Sequence, residues 1–163
     1  MSYKIALKVL PLIEKRISLE ELSNKLAVSK ATVKKYVKAL LEKGLVIEIS
    51  PGVYELSELG HLFTESIKSR SLGLLSDEQA YVFTDPATST PLHLKARSVQ
   101  QLYAMLKYGL VPSEVFLEHL RRGYVSQWIE GSVKDSYLAT LLKKANSLED
   151  AVKILEEYVS AFS

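Results

Sequence analysis

One stretch of the chain, from Ser29 to Leu45, concentrates side chains that can contact phosphate groups. It carries five lysines against a single acid, Glu42, so its net charge is +4. Lysine ammonium groups pair with phosphates, and a threonine hydroxyl can hydrogen-bond to a phosphate or a base edge. These side chains share one helical face: Lys30, Thr32, Lys34, Lys35 and Lys38. The simpler alternative is a lysine face that only contacts water. The elements before and after this stretch help to distinguish this alternative from a phosphate-binding surface.

A helix accounts for the shared face. Ser29 is a suitable N-cap, and Gly44 suits the left-handed residue that ends many helices. The opposite side carries apolar residues at the spacing i, i+4, i+7, i+8, namely Val33, Val37, Leu40 and Leu41. The spacing therefore predicts a helix over residues 29–43 with one buried and one cationic stripe, which fits the major groove of DNA.

The residues before this helix predict two more helices. The apolar pattern from Tyr3 to Arg16 predicts the first, which Pro11 should kink or split because its ring clashes with the preceding turn. Ile17-Ser18 is expected to turn the chain. Ser18 lies three residues before Glu21, as in a capping box, and starts a short second helix that Ala27-Val28 links to the third. Two short helices in this arrangement, the second cationic, predict a helix-turn-helix.

After Gly44 the pattern becomes that of strands. Leu45–Ile49 and Val53–Leu56 flank the turn Ser50-Pro51-Gly52 and predict a β-hairpin. The whole segment resembles the winged helix-turn-helix domain of bacterial and archaeal transcription regulators over about residues 3–70. The resemblance is carried by Leu22, Ser29, Thr32-Val33, Leu40, the exit Lys43-Gly44-Leu45-Val46, and the closing Tyr54-Glu55-Leu56-Ser57-Glu58-Leu59-Gly60.

The resemblance implies roles for individual side chains. Lys35 falls where many relatives have an arginine that binds the DNA backbone, and the Tyr36 hydroxyl is placed to contact phosphate. The resemblance puts four other residues near base edges or neighbouring phosphates: Ser29, Lys30, Thr32 and Lys34. With Lys38, these form the predicted DNA-binding set.

Two departures from the family pattern limit what the wing and the helix are expected to do. The wing tip Ser50-Pro51-Gly52 has no lysine or arginine, and Glu48 and Glu55 flank it, so the wing should contribute little. The cations of the third helix are all lysines, which lack the bidentate fork that recognises guanine best. We expect a large salt-dependent phosphate contribution and moderate sequence discrimination.

A second domain is predicted after a break at Ser69–Gly73. An amphipathic helix over residues 57–69 closes the first domain, which gives domains of 1–70 and 73–163. The fold class is mostly α with small β-hairpins (α+β). The second domain begins with strands at 80–84 and 91–96, and helices follow at Val99–Tyr108, Val115–Arg122, Val125–Ile129, Val133–Lys144 and Ser147–Phe162.

The segment from His119 to Ile129 is similar to a small uncharacterised prokaryotic domain, spanning about 80–145, with a His-x3-Gly-x4-Trp-Ile pattern. Tyr124 departs from that pattern, in which an acidic residue is expected. A ligand or partner pocket is one hypothesis for this segment, formed by His119, Arg121, Arg122 and Trp128. The alternative is a core tryptophan with a histidine that holds a turn by a hydrogen bond.

Composition narrows the function classes. The chain has 163 residues, 47% of them apolar, and no cysteine, which removes disulfides and thiolate chemistry. Residues 1–70 carry a net charge of +4 and residues 71–163 carry −2. No glycine-rich phosphate loop, nucleophile elbow, carboxylate pair or short histidine spacing appears, so neither an enzyme, a cofactor nor a metal is expected.

Without a leader or a membrane span, the protein is expected in the cytoplasm. The two asparagines and four glutamines are few enough to favour a thermophilic source.

These observations predict a prokaryotic, and specifically archaeal, transcription regulator that contacts duplex DNA through the helix over 29–43. The alternative is a winged-helix module that binds protein and not DNA. A homodimer is expected, with the last helix, or the first with its Tyr3, Ile5 and Leu7 face, as the dimer element. The second domain is expected to bind an effector or a protein partner, or to support dimerisation.

Overall fold

The computed structural model describes residues 2–71 and 73–162, and the chain divides into two units, Met1–Lys68 and Ser69–Ser163. The N-terminal unit combines helices with short strands. The elements are α1 (Ser2–Val9), β1 (Ile17–Ser18), α2 (Leu19–Leu26), α3 (Lys30–Glu42), β2 (Val46–Ser50), β3 (Val53–Leu56) and α4 (Glu58–Ser69). Pro11 has the predicted effect, because α1 ends at Val9 and a 3-10 turn, Leu10–Leu12, replaces its next turn.

Strands β1, β3 and β2 form a three-stranded antiparallel sheet in that order. The predicted hairpin is confirmed, with Val46 opposite Leu56 and Ile47 opposite Glu55. The predicted turn at Ile17-Ser18 is wrong, since these two residues pair with Tyr54 and Val53 of β3 as a third strand. Ile17 is 1% exposed, and its burial against the sheet fixes this extended segment. Three helices followed by a two-stranded wing make this unit a winged helix.

Serine side chains cap the first turns of α2 and α3. The Ser18 hydroxyl accepts the N–H of Glu21 at 3.1 Å, and the Ser29 hydroxyl accepts the N–H of Thr32 at 3.2 Å. The Glu21 carboxylate accepts from the Ser18 hydroxyl, not from the Ser18 backbone as in a full capping box. Between α2 and α3, Ala27 adopts a left-handed backbone with φ of 55°. The caps and this turn fix the angle at which α3 leaves α2.

The C-terminal unit opens with a two-stranded hairpin of β4 (Tyr81–Thr84) and β5 (Pro91–Ala96), as predicted. Its helices are α5 (Val99–Lys107), α6 (Ser113–Arg121), α7 (Tyr124–Trp128), α8 (Ser136–Lys143) and α9 (Leu148–Ser160). The mostly helical α+β fold class is therefore confirmed.

The predicted helix Val133–Lys144 is wrong in its first turn. Residues Ile129–Val133 form a π-helical turn that extends α7, and Lys134 is left-handed with φ of 63°. The Asp135 side chain, 0% exposed, then accepts the N–H of Leu138 at 3.0 Å and starts α8. A buried aspartate cap therefore divides what the apolar spacing alone predicts as one helix.

Aromatic side chains fill much of the core of the C-terminal unit. Phe83, Phe116, Tyr137 and Tyr158 are each less than 2% exposed. The Tyr158 hydroxyl donates to the Asp135 carboxylate, and burial, followed by the Asp135 charge, raises the pKa of Tyr158. This bond joins α9 to the start of α8. Across residues 2–71 and 73–162, we find no helix with the length and apolar character to cross a membrane.

Candidate nucleic-acid interface

Helix α3 has one face in the core and one in solvent. Val33, Val37 and Leu40 are at most 3% exposed and lie on the side that packs against α1 and α2. Leu41, predicted on the same stripe, is 39% exposed, so that part of the prediction is wrong. It lies one residue beyond Leu40, about 100° further round the helix. The buried stripe is thus narrower than predicted, which leaves most of the helix surface accessible.

The outer side of α3 presents four exposed lysines, Lys30, Lys34, Lys35 and Lys38. Within the described residues, none of them forms an ion pair within 4.0 Å. Lys30, Lys34 and Lys38 also follow one another at i, i+4 spacing, where like charges destabilise a helix by about 0.2–0.5 kcal/mol per pair. The row of lysines therefore costs the helix a little stability, and its ammonium groups are accessible to an anionic partner.

The first turn of α3 adds hydrogen-bonding groups to this row. Ser29 is exposed, and its hydroxyl lies 3.0 Å from that of Thr32, so the two share a hydrogen bond as well as the cap. The N-terminal end of a helix carries a partial positive charge and unpaired N–H groups, which favour phosphate. Lys30 is the first residue of that turn. Its charge and the helix dipole therefore act on the same region.

Tyr36 lies at the edge of the exposed face and is half-buried. The Lys8 ammonium of α1 lies 5.9 Å from the centre of the Tyr36 ring, so it adds a cation beside α3 that the sequence pattern does not indicate. Lys8 is far from Tyr36 in the chain, and only the tertiary packing of α1 on α3 brings them together. Lys43, by contrast, lies over the Tyr3 ring at 4.7 Å.

The wing carries little positive charge. Its tip residues Ser50 and Pro51 are exposed, and the Gly52 carbonyl accepts the N–H of Leu19 at 3.1 Å, which ties the tip to the start of α2. Arg16 pairs with Glu55 at 3.6 Å, whereas Glu48 remains exposed. Burial, followed by a hydrogen bond to Glu48 and its charge, raises the pKa of Tyr54. The cationic surface of this unit is therefore α3 and not the wing.

The residues of the predicted C-terminal pocket separate into core and surface. His119 is 3% exposed, with Nδ1 2.5 Å from the Tyr81 hydroxyl and Nε2 2.9 Å from the Thr84 carbonyl oxygen. A proton on Nε2 satisfies both bonds, since the ring then donates to Thr84 and accepts from Tyr81. Trp128 is 8% exposed and donates from Nε1 to the Gln79 carbonyl at 2.7 Å. This is the arrangement of the alternative, a core tryptophan and a histidine that holds a turn.

Arg121 and Arg122 lie on the outside of the same unit. Both are exposed, and Arg122 donates from Nε to Glu118 at 2.7 Å along α6. Such an exposed i, i+4 pair adds little to the stability of a helix, because water and salt screen it. The described structure therefore does not gather the two arginines around the buried His119 and Trp128.

Comparison with protein families identifies residues 6–55 as an HTH domain. The match runs from α1 to β3 and includes the whole of α2 and α3. Comparisons with curated proteins and with solved structures found no match. The chain therefore contains a helix-turn-helix domain, and this supports a DNA-binding, transcription-regulatory function.

Proposed function

We propose that this protein regulates transcription by placing α3 in the major groove of duplex DNA. The observation that carries the proposal is the row of exposed lysines on α3, which form no ion pair with the described residues and lie inside a segment that matches a helix-turn-helix domain. In this proposal Lys34, Lys35 and Lys38 bind phosphates. Ser29, Lys30 and Thr32 lie in or next to the first turn of the helix and approach the bases. The Tyr36 hydroxyl contacts the sugar-phosphate backbone of the DNA.

The charge distribution supports DNA as the partner of the N-terminal unit. Residues 1–68 carry eleven lysines and arginines against eight acids, or +3, whereas residues 69–163 carry ten against eleven, or −1. The alternative function, a winged-helix module that binds protein through apolar contacts, would need an apolar face on α3. The exposed surface of α3 offers one large apolar side chain, Leu41, among four lysines.

Titration of a duplex DNA mixture at two salt concentrations separates the two functions. DNA binding through lysine contacts should weaken steeply as salt rises, since each neutralised phosphate adds about 0.9 to the slope of log K against log salt. Absence of any duplex binding at 50 mM salt would favour the protein-binding module.

We further propose that the protein acts as a homodimer, because one winged helix reads a single half-site. The sequence predicts α1 or α9 as the dimer element, but both helices bury apolar residues within their own unit. These residues are Tyr3, Ala6 and Val9 of α1 and Ala151, Leu155 and Tyr158 of α9. Tyr108 and Leu110, 71% and 55% exposed, are large apolar side chains that remain outside. Light scattering tests the proposal, and a monomer at tens of micromolar would contradict it.

We propose that the C-terminal unit does not contact DNA and instead binds an effector or a protein partner. Its acids are spread along the unit, among them Asp77, Glu114, Glu149 and Glu156, and a phosphate surface would repel them. Trp128 is the single tryptophan of the chain and reports on this unit. Titration with DNA should alter its fluorescence little, and a large change would count against this division of roles.

A further inference from the structure

A cavity of about 370 Å³ lies within the C-terminal unit. Sites for small organic ligands typically have volumes of roughly 300–1,000 Å³, so this one can hold a small molecule. Its walls combine apolar side chains with two arginines: Arg70, Leu75, Arg97, Val99, Val133 and Phe162. None of these residues belongs to the predicted DNA-binding set, so the cavity is a different site from the one proposed for DNA.

Arg70 brings a buried guanidinium with unused donors to the cavity wall. Its side chain is 7% exposed, and its Nε and Nη1 have no hydrogen-bond partner within the described part of the chain. Among the described residues, the carboxylate oxygen within 4.0 Å of Arg70 is Oδ2 of Asp135, 3.9 Å from Nη1, which is beyond hydrogen-bond distance. That carboxylate already accepts the Leu138 N–H and the Tyr158 hydroxyl. Buried donors without acceptors are costly. Arg70 lines the cavity, so its guanidinium is a cationic group that an anion in the cavity would meet.

The Phe162 ring lies 4.0 Å from the centre of the Arg70 guanidinium. This ring packs against the guanidinium by a cation–π contact and makes no demand on the N–H donors. The contact holds the arginine in place. A fixed, partly desolvated guanidinium binds a carboxylate or phosphate more strongly than a mobile one at the surface.

Arg97 supplies a second cation to the same cavity. Its Nε is buried without a hydrogen-bond partner in the described residues, and its Nη2 pairs with Asp77 at 3.2 Å. Its backbone N–H donates to the Gln101 side chain at 2.8 Å, and its carbonyl accepts the Leu75 N–H at 2.8 Å. The backbone of Arg97 is therefore fixed on both sides. Two guanidiniums that line one cavity repel each other, and an anion between them would remove that repulsion.

The N-terminus of α5 lies at the cavity wall as well. Ser98 caps this nine-residue helix by accepting the Gln101 N–H at 3.1 Å. The preceding N–H groups of Val99 and Gln100 have no acceptor within the helix, and both residues line the cavity. The positive end of the helix dipole thus adds to the two arginine charges.

We propose that this cavity binds a small molecule in which a carboxylate or phosphate group is attached to an apolar body. The anionic group pairs with the guanidiniums of Arg70 and Arg97 near the start of α5. The apolar body packs against Leu75, Val99 and Val133. The anionic group and the apolar body are both required, because the cavity walls are partly cationic and partly apolar.

Titration of the full-length protein with matched probes tests the anionic group, here called the head, and the apolar body separately. Hexanoate and hexyl phosphate carry both, acetate and inorganic phosphate lack the body, and 1-hexanol lacks the head. Chemical shifts of the Arg70 and Arg97 Nε–H signals should saturate with hexanoate or hexyl phosphate, and the tighter of the two identifies the head group. Acetate, phosphate and hexanol should bind at least about tenfold more weakly. No saturable shift with either hexyl probe, or equal affinity for the probes without a body, would overturn the proposal.

Arginine variants show whether binding occurs at this cavity. Arg97→Gln should weaken the preferred probe at least about tenfold. Arg121→Gln, a change at an exposed arginine of the same unit, should leave the affinity within about twofold. Arg70→Lys keeps the charge opposite Asp135, and hence the fold, but removes the guanidinium fork, so it should also weaken binding. Unchanged affinity in Arg97→Gln, or equal losses in Arg97→Gln and Arg121→Gln, would overturn the assignment.

Discussion

A Cβ atom added to Gly60 would lie 2.0 Å from the carbonyl oxygen of Leu45. That oxygen also accepts the N–H of Ser57 at 3.1 Å, and the Ser57 hydroxyl accepts the N–H of Gly60 at 2.9 Å. The first turn of α4 therefore rests directly on the peptide through which the chain enters the wing. Only a residue without a side chain permits this approach.

Gly60→Ala is accordingly expected to destabilise the N-terminal unit. The backbone oxygen cannot move as a flexible side chain would, so the helix has to shift away from Leu45, at a cost of about 1–3 kcal/mol or more. Thermal unfolding followed by circular dichroism measures the loss. Gly131→Ala is the matched control, since a Cβ there meets nothing within 4 Å. Equal stability of the two variants would show that α4 does not depend on this contact.

Ser29→Asp separates the structural role of Ser29 from its proposed role at DNA. Aspartate caps a helix about as well as serine, so the free energy of unfolding should change by less than about 0.5 kcal/mol. The new carboxylate would lie inside the proposed DNA interface, where the negative charge of the duplex repels it, so duplex affinity should fall about tenfold or more. Ser29→Ala should do the reverse, with about 1 kcal/mol of stability lost and a smaller effect on DNA. Wild-type affinity in Ser29→Asp would place DNA away from this end of α3.

Reversal of two charges on α3 tests the lysine row itself. Lys34→Glu with Lys35→Glu should abolish duplex binding and leave the far-ultraviolet spectrum unchanged, because both side chains are exposed and unpaired in the described structure. Single Lys→Gln variants at the same positions should each lower the salt slope by about one unit.

The control for this experiment reverses two exposed lysines elsewhere in the same unit, Lys15 and Lys68. It changes the net charge by the same amount and should keep most of the affinity if contacts, and not the overall charge, determine binding. Equal losses in the two double variants would show that α3 makes no specific contact.

Local signals in the sequence account for much of the N-terminal unit. Ser29 and Gly44 mark the ends of the α3 region, and Ser50-Pro51-Gly52 marks the wing turn, because caps and tight turns depend on neighbouring residues. Strand β1 could not be predicted in this way, since its two residues become a strand only by pairing with Tyr54 and Val53. The exposure of Leu41 likewise depends on how α3 is rotated against α1 and α2.

The C-terminal cavity could be predicted from the sequence even less than strand β1. Arg70 and Arg97 lie 27 positions apart in the sequence and share no motif, yet both line one cavity. The sequence instead directs attention to His119 and Trp128, which the structure places in the core of the C-terminal unit. Polar donors that lack partners are visible only once the fold has placed every acceptor.

Tyr81→Phe should reduce the dependence of stability on alkaline pH. Burial, followed by the charge of the nearby Tyr124 phenol, raises the pKa of Tyr81 well above its ordinary value of 10.0. Below pH 10 the phenol is protonated in both states and adds no pH dependence. Above it, the unfolded chain releases this proton while the folded chain keeps it, so the free energy of unfolding falls by about 1.4 kcal/mol per pH unit.

Urea unfolding between pH 9 and pH 11.5, followed by Trp128 fluorescence, measures this slope. Trp128 is a local reporter, since its ring centre lies 5.5 Å from that of Tyr81. Tyr81→Phe should lose stability at neutral pH, because His119 loses the hydroxyl at Nδ1, but its stability should fall less steeply above pH 10. Tyr108→Phe is the control, because Tyr108 is 71% exposed and meets water in both states. If Tyr81→Phe keeps the wild-type slope, the buried Tyr81 hydroxyl is not what makes this unit sensitive to alkali.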